Sequence, residues 1–211
     1  MAEGRICKVF VDFDGTIEKS AVKRTIEEHI PLPLKGRALE VATNMTFTVY
    51  DVLGLGRQCV MNDMVSGRKL EMNGPVLNLM YDCSDKGMEV SVLTRNNKVS
   101  YIDAALRERG IHFKVQHTED KVAFVHEQQI QNPDERTILL DDSIRDALRF
   151  LSKRVDGYVL YVNGHNGIAA QFLKPFIRTA TDASLKGLIR ESGAKNGPMP
   201  FALKNSEKIA V

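Results

Sequence analysis

Residues 6–13 read ICKVFVDF, an apolar, β-branched run that stops at Asp14-Gly15-Thr16. This pattern predicts a buried strand that ends in a glycine turn. Four further runs follow at 88–93 (MEVSVL), 111–115 (IHFKV), 137–140 (TILL) and 157–162 (GYVLYV). Helix-like stretches separate them at 97–109, 121–130 and 143–153. Strands that alternate with helices of this length predict βαβ units, a parallel sheet and a three-layer sandwich.

One interval breaks the alternation. Residues 17–80 are far longer than a βαβ crossover requires. Within it, Ala38, Val41, Ala42 and Met45, and then Val60, Met61 and Met64, recur at helical spacing. Pro31, Pro33, Gly36, Gly54, Gly56 and Gly67 punctuate it. The interval reads as a small helical insertion. Asn73-Gly74-Pro75 reads as the return to the core, with Pro75 opening a helix that runs to Asp85. The expected division is a core of residues 1–16 and 81–191, an insertion at 17–80 and a loosely ordered tail at 192–211, rich in Gly, Pro, Lys and Ser.

Composition narrows the class without naming it. The 211 residues suit one domain with a substantial insertion. Lys and Arg number 29 against 27 for Asp and Glu, a net +2 that argues against a nucleic-acid coat or a polybasic membrane anchor. No apolar run approaches the ~18 residues of a membrane helix, and the first residues carry too short an apolar stretch for a signal peptide. Cys7, Cys59 and Cys83 are odd in number and contain no CxxC, which suits reduced thiols and a cytoplasmic setting. No nucleic-acid or membrane partner is expected.

Open parallel sheets build their sites at the carboxyl ends of strands. The first strand ends in Asp12-Phe13-Asp14-Gly15-Thr16, the second in Thr94-Arg95-Asn96, and the fourth in Asp141-Asp142-Ser143 with Asp146 one turn on. Carboxylates crowded there would repel and raise one another's pKa, and a cation relieves this. Hard oxygen ligands suit Mg²⁺, and no His/Cys cluster favours zinc. Asp12 and Asp14, two apart on an extended segment, project to one side. One can attack phosphorus and the other can act as acid and then base. Thr94 offers a hydroxyl, and Lys121, at a helix start, offers an ammonium to offset phosphate charge. Asp141 or Asp142 alone can be explained as a helix N-cap; the pair with Asp146 is not explained that way. Gly54-Leu55-Gly56 lacks a third glycine and follows no strand, so it does not read as a dinucleotide loop.

In this order the set resembles the haloacid dehalogenase-like superfamily of phosphotransferases over residues 6–165. Val11–Ile17 is similar to its first motif, Val92–Asn96 to the second, Lys121 to the third and Leu140–Asp146 to the fourth. The resemblance implies a Rossmann-like three-layer α/β/α core, Mg²⁺, a small helical cap inserted after the first strand, and an aspartyl-phosphate intermediate. Asp12 would be nucleophile and Mg²⁺ ligand. Asp14 would be acid and base and would lend Mg²⁺ its backbone carbonyl. Thr94 with Arg95, and Lys121, would hold the phosphoryl group. Asp142 would be the third ligand, with Asp146 in support and Asp141 a rival. Residues 161–167 (YVNGHNG) are similar to a segment of phosphoserine-phosphatase-like members. Phosphoserine phosphatase has a glutamate soon after its first motif; here that place is near Ala21, and Glu18 is three residues early. The implied activity is Mg²⁺-dependent hydrolysis of a small-molecule phosphate monoester. A phosphomutase or other phosphotransferase of this fold, or a silent binding protein, is the alternative. A dehalogenase would need no acid at Asp14.

Overall fold

The structure is a computed structural model that describes residues 5–18, 21, 24, 25, 28, 55–153, 155, 157–162, 178 and 179. The helical spacing at 38–45, the stretch 163–167 and the tail 192–211 lie outside the described residues.

Six strands, β1 (Arg5–Asp12), β2 (Glu89–Thr94), β3 (Lys114–His117), β4 (Glu135–Asp141), β5 (Gly157–Tyr161) and β6 (Arg178–Thr179), form one parallel sheet. The order across it is β3-β2-β1-β4-β5-β6. The helices are α1 (Gly56–Val65), α2 (Gly74–Asp85), α3 (Val99–Arg107), α4 (Lys121–Gln131) and α5 (Ile144–Ser152). This is the Rossmann-like α/β architecture that the alternation predicts.

Side-chain parity makes the layers. Val9 and Val11 of β1, Val90 and Val92 of β2, Ile138 and Leu140 of β4, and Leu160 of β5 share one buried cluster with residues of α1, α2 and α3. The alternate positions Phe10, Leu93, Leu139, Val159 and Tyr161 form the other cluster, with Val122 and Val125 of α4 and Ala147 and Phe150 of α5. Successive strand residues point to opposite faces, so strands with apolar side chains on both faces need helices on both sides. Phe10 meets Phe124 of α4 edge to face, with ring centroids 5.8 Å apart.

Two strand expectations shift. The run 111–115 predicts β3 too early: pairing begins at Lys114 opposite Ser91 and ends at His117 opposite Thr94. Ile111 is buried, but it closes the end of α3, where its N–H donates to the Leu106 carbonyl at 3.0 Å. β4 starts earlier than its apolar core, because Glu135 and Arg136 already pair with Arg5 and Ile6. The two-residue β6 is too short to leave an apolar pattern.

The insertion leaves and rejoins the sheet at one point. The Asn73 N–H donates to the Ile17 carbonyl at 2.7 Å, and Glu18 and Met72 form an antiparallel bridge. Beyond this neck, Arg24 donates to Asp63 from Nε at 3.0 Å and from Nη2 at 2.7 Å, which ties the start of the insertion to α1. Cys59, Val60 and Leu70 nonetheless pack into the same cluster as β1. Among the described residues, no helix is long and apolar enough to cross a membrane.

Candidate active site

The sheet grows in opposite directions from β1 and β4: β2 and β3 lie on one side, β5 and β6 on the other. Parallel sheets open a crevice at such a switch point, beyond the strand carboxyl ends. Val11 pairs with Leu140, so the next residues, Asp12 and Asp141, end adjacent strands side by side. Asp12 shares the parity of Phe10, and Asp141 that of Leu139. Both therefore face the α4/α5 layer, where α4 begins.

Lys121 is the first residue of α4, and it is 3% exposed. Its Nζ donates to Asp141 Oδ2 at 2.9 Å and lies 2.8 Å from Asp12 Oδ1. Burial works to discharge this ammonium, but Asp12 and Asp141 outweigh it and raise its pKa. Asp120 caps α4 by accepting from the Ala123 N–H at 3.0 Å.

Asp14 sits two residues past β1 and is buried. Its Oδ2 accepts from the Thr94 hydroxyl at 2.9 Å, and Thr94 Oγ1 in turn accepts from the Asn96 N–H at 2.9 Å. Burial raises the Asp14 carboxyl, with Glu18 adding to the rise and Thr94, Lys121 and Arg57 opposing it. Asp12 is raised too, by burial first and by Asp14; Lys121 opposes both.

The fourth-strand aspartates separate. Asp141 is fully buried, and both its oxygens are engaged: Oδ2 by Lys121, Oδ1 by the Ser143 N–H at 2.8 Å. Burial, Asp12 and Asp146 push its carboxyl up to about 7 against the pull of Lys121. Neither Asp141 nor Asp142 caps α5; Ser143 does, accepting from the Asp146 N–H at 3.3 Å. Asp142 lies over the first-strand loop. A Cβ on Gly15 would come within 1.9 Å of its Oδ2, and Gly15 has φ +89°. Glycine is thus required there both for backbone conformation and for room.

Asp12, Asp141 and Asp142 each offer an oxygen within 4.8 Å of the others. The donors are all carboxylate, two of the three residues are buried, and a hard divalent cation fits them.

Arg95 and Asp146 meet each other. Arg95 Nη2 is 2.5 Å from Asp146 Oδ2, and its Nε donates to the Glu119 carbonyl at 3.1 Å. One cation escaped sequence reasoning. Arg57, in the first turn of α1, donates to the Arg95 carbonyl at 2.9 Å, lies 3.7 Å from Glu119 and acts on Asp14. No local motif marks it; it reaches the site only because the insertion folds back across the ends of β2 and β3. Glu18 instead accepts from the Ala21 N–H at 3.1 and 3.2 Å.

No family model and no curated protein match the chain. Solved structures do. A haloacid dehalogenase-like family hydrolase of Streptococcus pneumoniae is 15% identical with a TM-score of 0.54, covering 86% of this chain and 97% of that one. A haloacid dehalogenase family hydrolase of Deinococcus radiodurans R1, solved with bound phosphate and sodium, is 15% identical with a TM-score of 0.56, covering 90% and 98%. A haloacid dehalogenase-like hydrolase of Xanthomonas campestris is 13% identical with a TM-score of 0.50, covering 90% and 99%. The fold is that of the haloacid dehalogenase-like hydrolases.

Proposed function

We propose that the chain is a Mg²⁺-dependent phosphatase that hydrolyses a phosphate monoester through an aspartyl-phosphate on Asp12. The observation that carries this reading is the buried Lys121 ammonium between Asp12 and Asp141, beside an Asp14 carboxyl bonded to Thr94. Such a constellation suits a tetrahedral anion brought against a carboxylate nucleophile.

In this reading Asp12 attacks phosphorus, and the bond from phosphorus to the leaving oxygen breaks. Asp14 gives its proton to that oxygen. Burial raises the Asp14 pKa, which favours the protonated form that a general acid needs. Asp14, now a carboxylate, takes a proton from water; the water oxygen attacks phosphorus, inorganic phosphate leaves, and Asp12 is restored. Lys121 would offset negative charge on Asp12 and the phosphoryl oxygens, and the Thr94 hydroxyl, which donates to Asp14 here, would turn to the phosphoryl group to donate to it.

Asp12, Asp142 and the Asp14 carbonyl would hold Mg²⁺. Asp142 is favoured over Asp141 because it lies against the first-strand loop at Gly15, next to the Asp14 carbonyl in sequence, while Asp141 is held by Lys121 and the Ser143 N–H. Bound there, the cation would supply positive charge that lets Asp12 ionise next to a phosphate dianion. The phosphate bound to the Deinococcus protein is consistent with an oxyanion substrate for this fold. Within the 17–80 interval, the segment between Glu18 and Met72, whose ends meet beside the first-strand loop, would act as a cap that selects a small phosphate ester.

The test is hydrolysis of an aryl phosphate such as p-nitrophenyl phosphate, with Mg²⁺ and in excess chelator. Turnover that requires Mg²⁺ is expected. Silence of the folded protein toward every ester in a phosphometabolite panel would instead favour a binding protein on this fold.

A further inference from the structure

The second-strand motif places Arg95 beside Thr94, where it reads as a phosphate ligand; its partners point elsewhere. Nε donates to the backbone carbonyl of Glu119, and Nη2 to the carboxylate of Asp146. Glu119 stands two residues before Lys121, in the turn that starts α4. Asp146 is fully buried in the first turn of α5. A second arginine completes the link. Arg149 Nη1 lies 3.6 Å from Asp146 Oδ1, and its Nη2 bonds Asp120, the residue that caps α4.

We infer that Arg95 is a positioning residue that, with Asp146, fixes the 119–121 turn and so holds the Lys121 ammonium between Asp12 and Asp141. Two observations carry this independently. The turn is gripped at consecutive residues, Glu119 by Arg95 and Asp120 by Arg149, and both arginines share one buried anion. A buried carboxylate without a close cation is costly, so Asp146 in turn fixes where Arg95 sits. The planar guanidinium can donate to a carbonyl and a carboxylate at once; an ammonium on a flexible stem does not hold both in fixed geometry. A small misplacement of Lys121 matters, because reacting groups displaced by about 1 Å can lose on the order of 10²-fold in rate.

The inference rests on the proposed role of Lys121, and its test separates the two. Arg95→Gln and Arg95→Lys are compared with the wild-type chain by hydrogen exchange of the peptide spanning 118–123 and by kinetics on p-nitrophenyl phosphate, with inorganic phosphate as inhibitor. In both variants exchange in that peptide should quicken about tenfold or more, as local opening becomes easier. The kcat should fall about 10- to 100-fold, while KM and the phosphate inhibition constant stay within about threefold. Arg95→Lys keeps the charge and should restore neither protection nor kcat. Unchanged exchange, with KM and phosphate inhibition weakened about tenfold and largely restored by Arg95→Lys, would overturn the inference and make Arg95 a phosphate ligand. Should the wild-type chain turn over no phosphate ester, the phosphatase reading falls. The exchange comparison still decides whether Arg95 holds the turn, since unchanged protection in both variants refutes it. If Arg95→Gln does not fold, Arg95→Lys carries both readouts.

Discussion

Gly15 and the neighbouring pair Asp141-Asp142 show how single positions are fixed by the site. Gly15 has a positive φ and no room for a Cβ against Asp142. In Gly15→Ala, backbone strain alone costs about 1–3 kcal/mol. The methyl would also push the Asp142 carboxylate aside. The variant should melt earlier and need at least about tenfold more Mg²⁺ for half-maximal activity, the scale seen when metal sites lose even an outer partner. Asp142→Asn should show the same rise in Mg²⁺ requirement without the loss of melting temperature. Asp141→Asn, which loosens Lys121 instead, should depress kcat at saturating Mg²⁺. A Mg²⁺ titration of the three proteins checks this, and an unchanged requirement in Asp142→Asn would move the ligand role to Asp141. Sequence alone left these aspartates as rivals because both end the same strand. The choice depends on Ser143 and Lys121 taking up Asp141, which only three-dimensional neighbours reveal.

At the scale of elements, the break in strand–helix alternation exposes the insertion, but not where it closes. The ends meet at Ile17–Glu18 and Met72–Asn73, and α2 beyond them buries Val76, Leu77, Leu79 and Met80 against the sheet. Apolar spacing in α2 looks like that of any amphipathic helix, so the pattern cannot say which neighbour it faces. Replacing residues 19–71 with a short Gly/Ser linker removes the core contacts of Cys59, Val60 and Leu70, so the variant should be less stable. If it folds, turnover of the best phosphometabolite should fall further than that of a small aryl phosphate. Equal losses in kcat/KM on both would mean that the insertion is not a specificity cap. α4 was more legible: Thr118-Glu119-Asp120 before Lys121 marks a helix start, and Asp120 is the cap. What Arg57 and Arg95 touch was not legible, since their partners are backbone carbonyls and a distant helix.

For the whole molecule, the order of motifs along the chain became one crevice because parallel strands deliver all their carboxyl ends to the same edge. That part was legible from periodicity; the strength of the charge conflict at that edge was not, because it depends on burial. Asp12, Asp14 and Asp141 are all raised above the ordinary 3.8, Asp141 to about 7. A carboxyl raised on folding takes up a proton, so its contribution is full below about pH 4 and is lost as pH climbs towards 7. Without metal, the melting temperature should therefore fall across this window. Mg²⁺ should raise it more at pH 8 than at pH 5, because the metal competes with protons for the same oxygens. Thermal melts at the two pH values, with Mg²⁺ and with chelator, check this; a shift of equal size at both would place the cation elsewhere. Whether Asp12 carries the phosphoryl group can be read in Asp14→Asn. This variant keeps the nucleophile and removes the acid and base, worth about 10²–10⁴-fold in turnover. An aryl phosphate has a good leaving group, so the first step survives better than attack by water. Rapid quench followed by peptide mass spectrometry should find phosphate on Asp12 in Asp14→Asn, and none in Asp12→Asn. Phosphate on Asp14 in Asp12→Asn, or turnover at the wild-type rate in Asp12→Asn, would show that Asp12 is not the nucleophile.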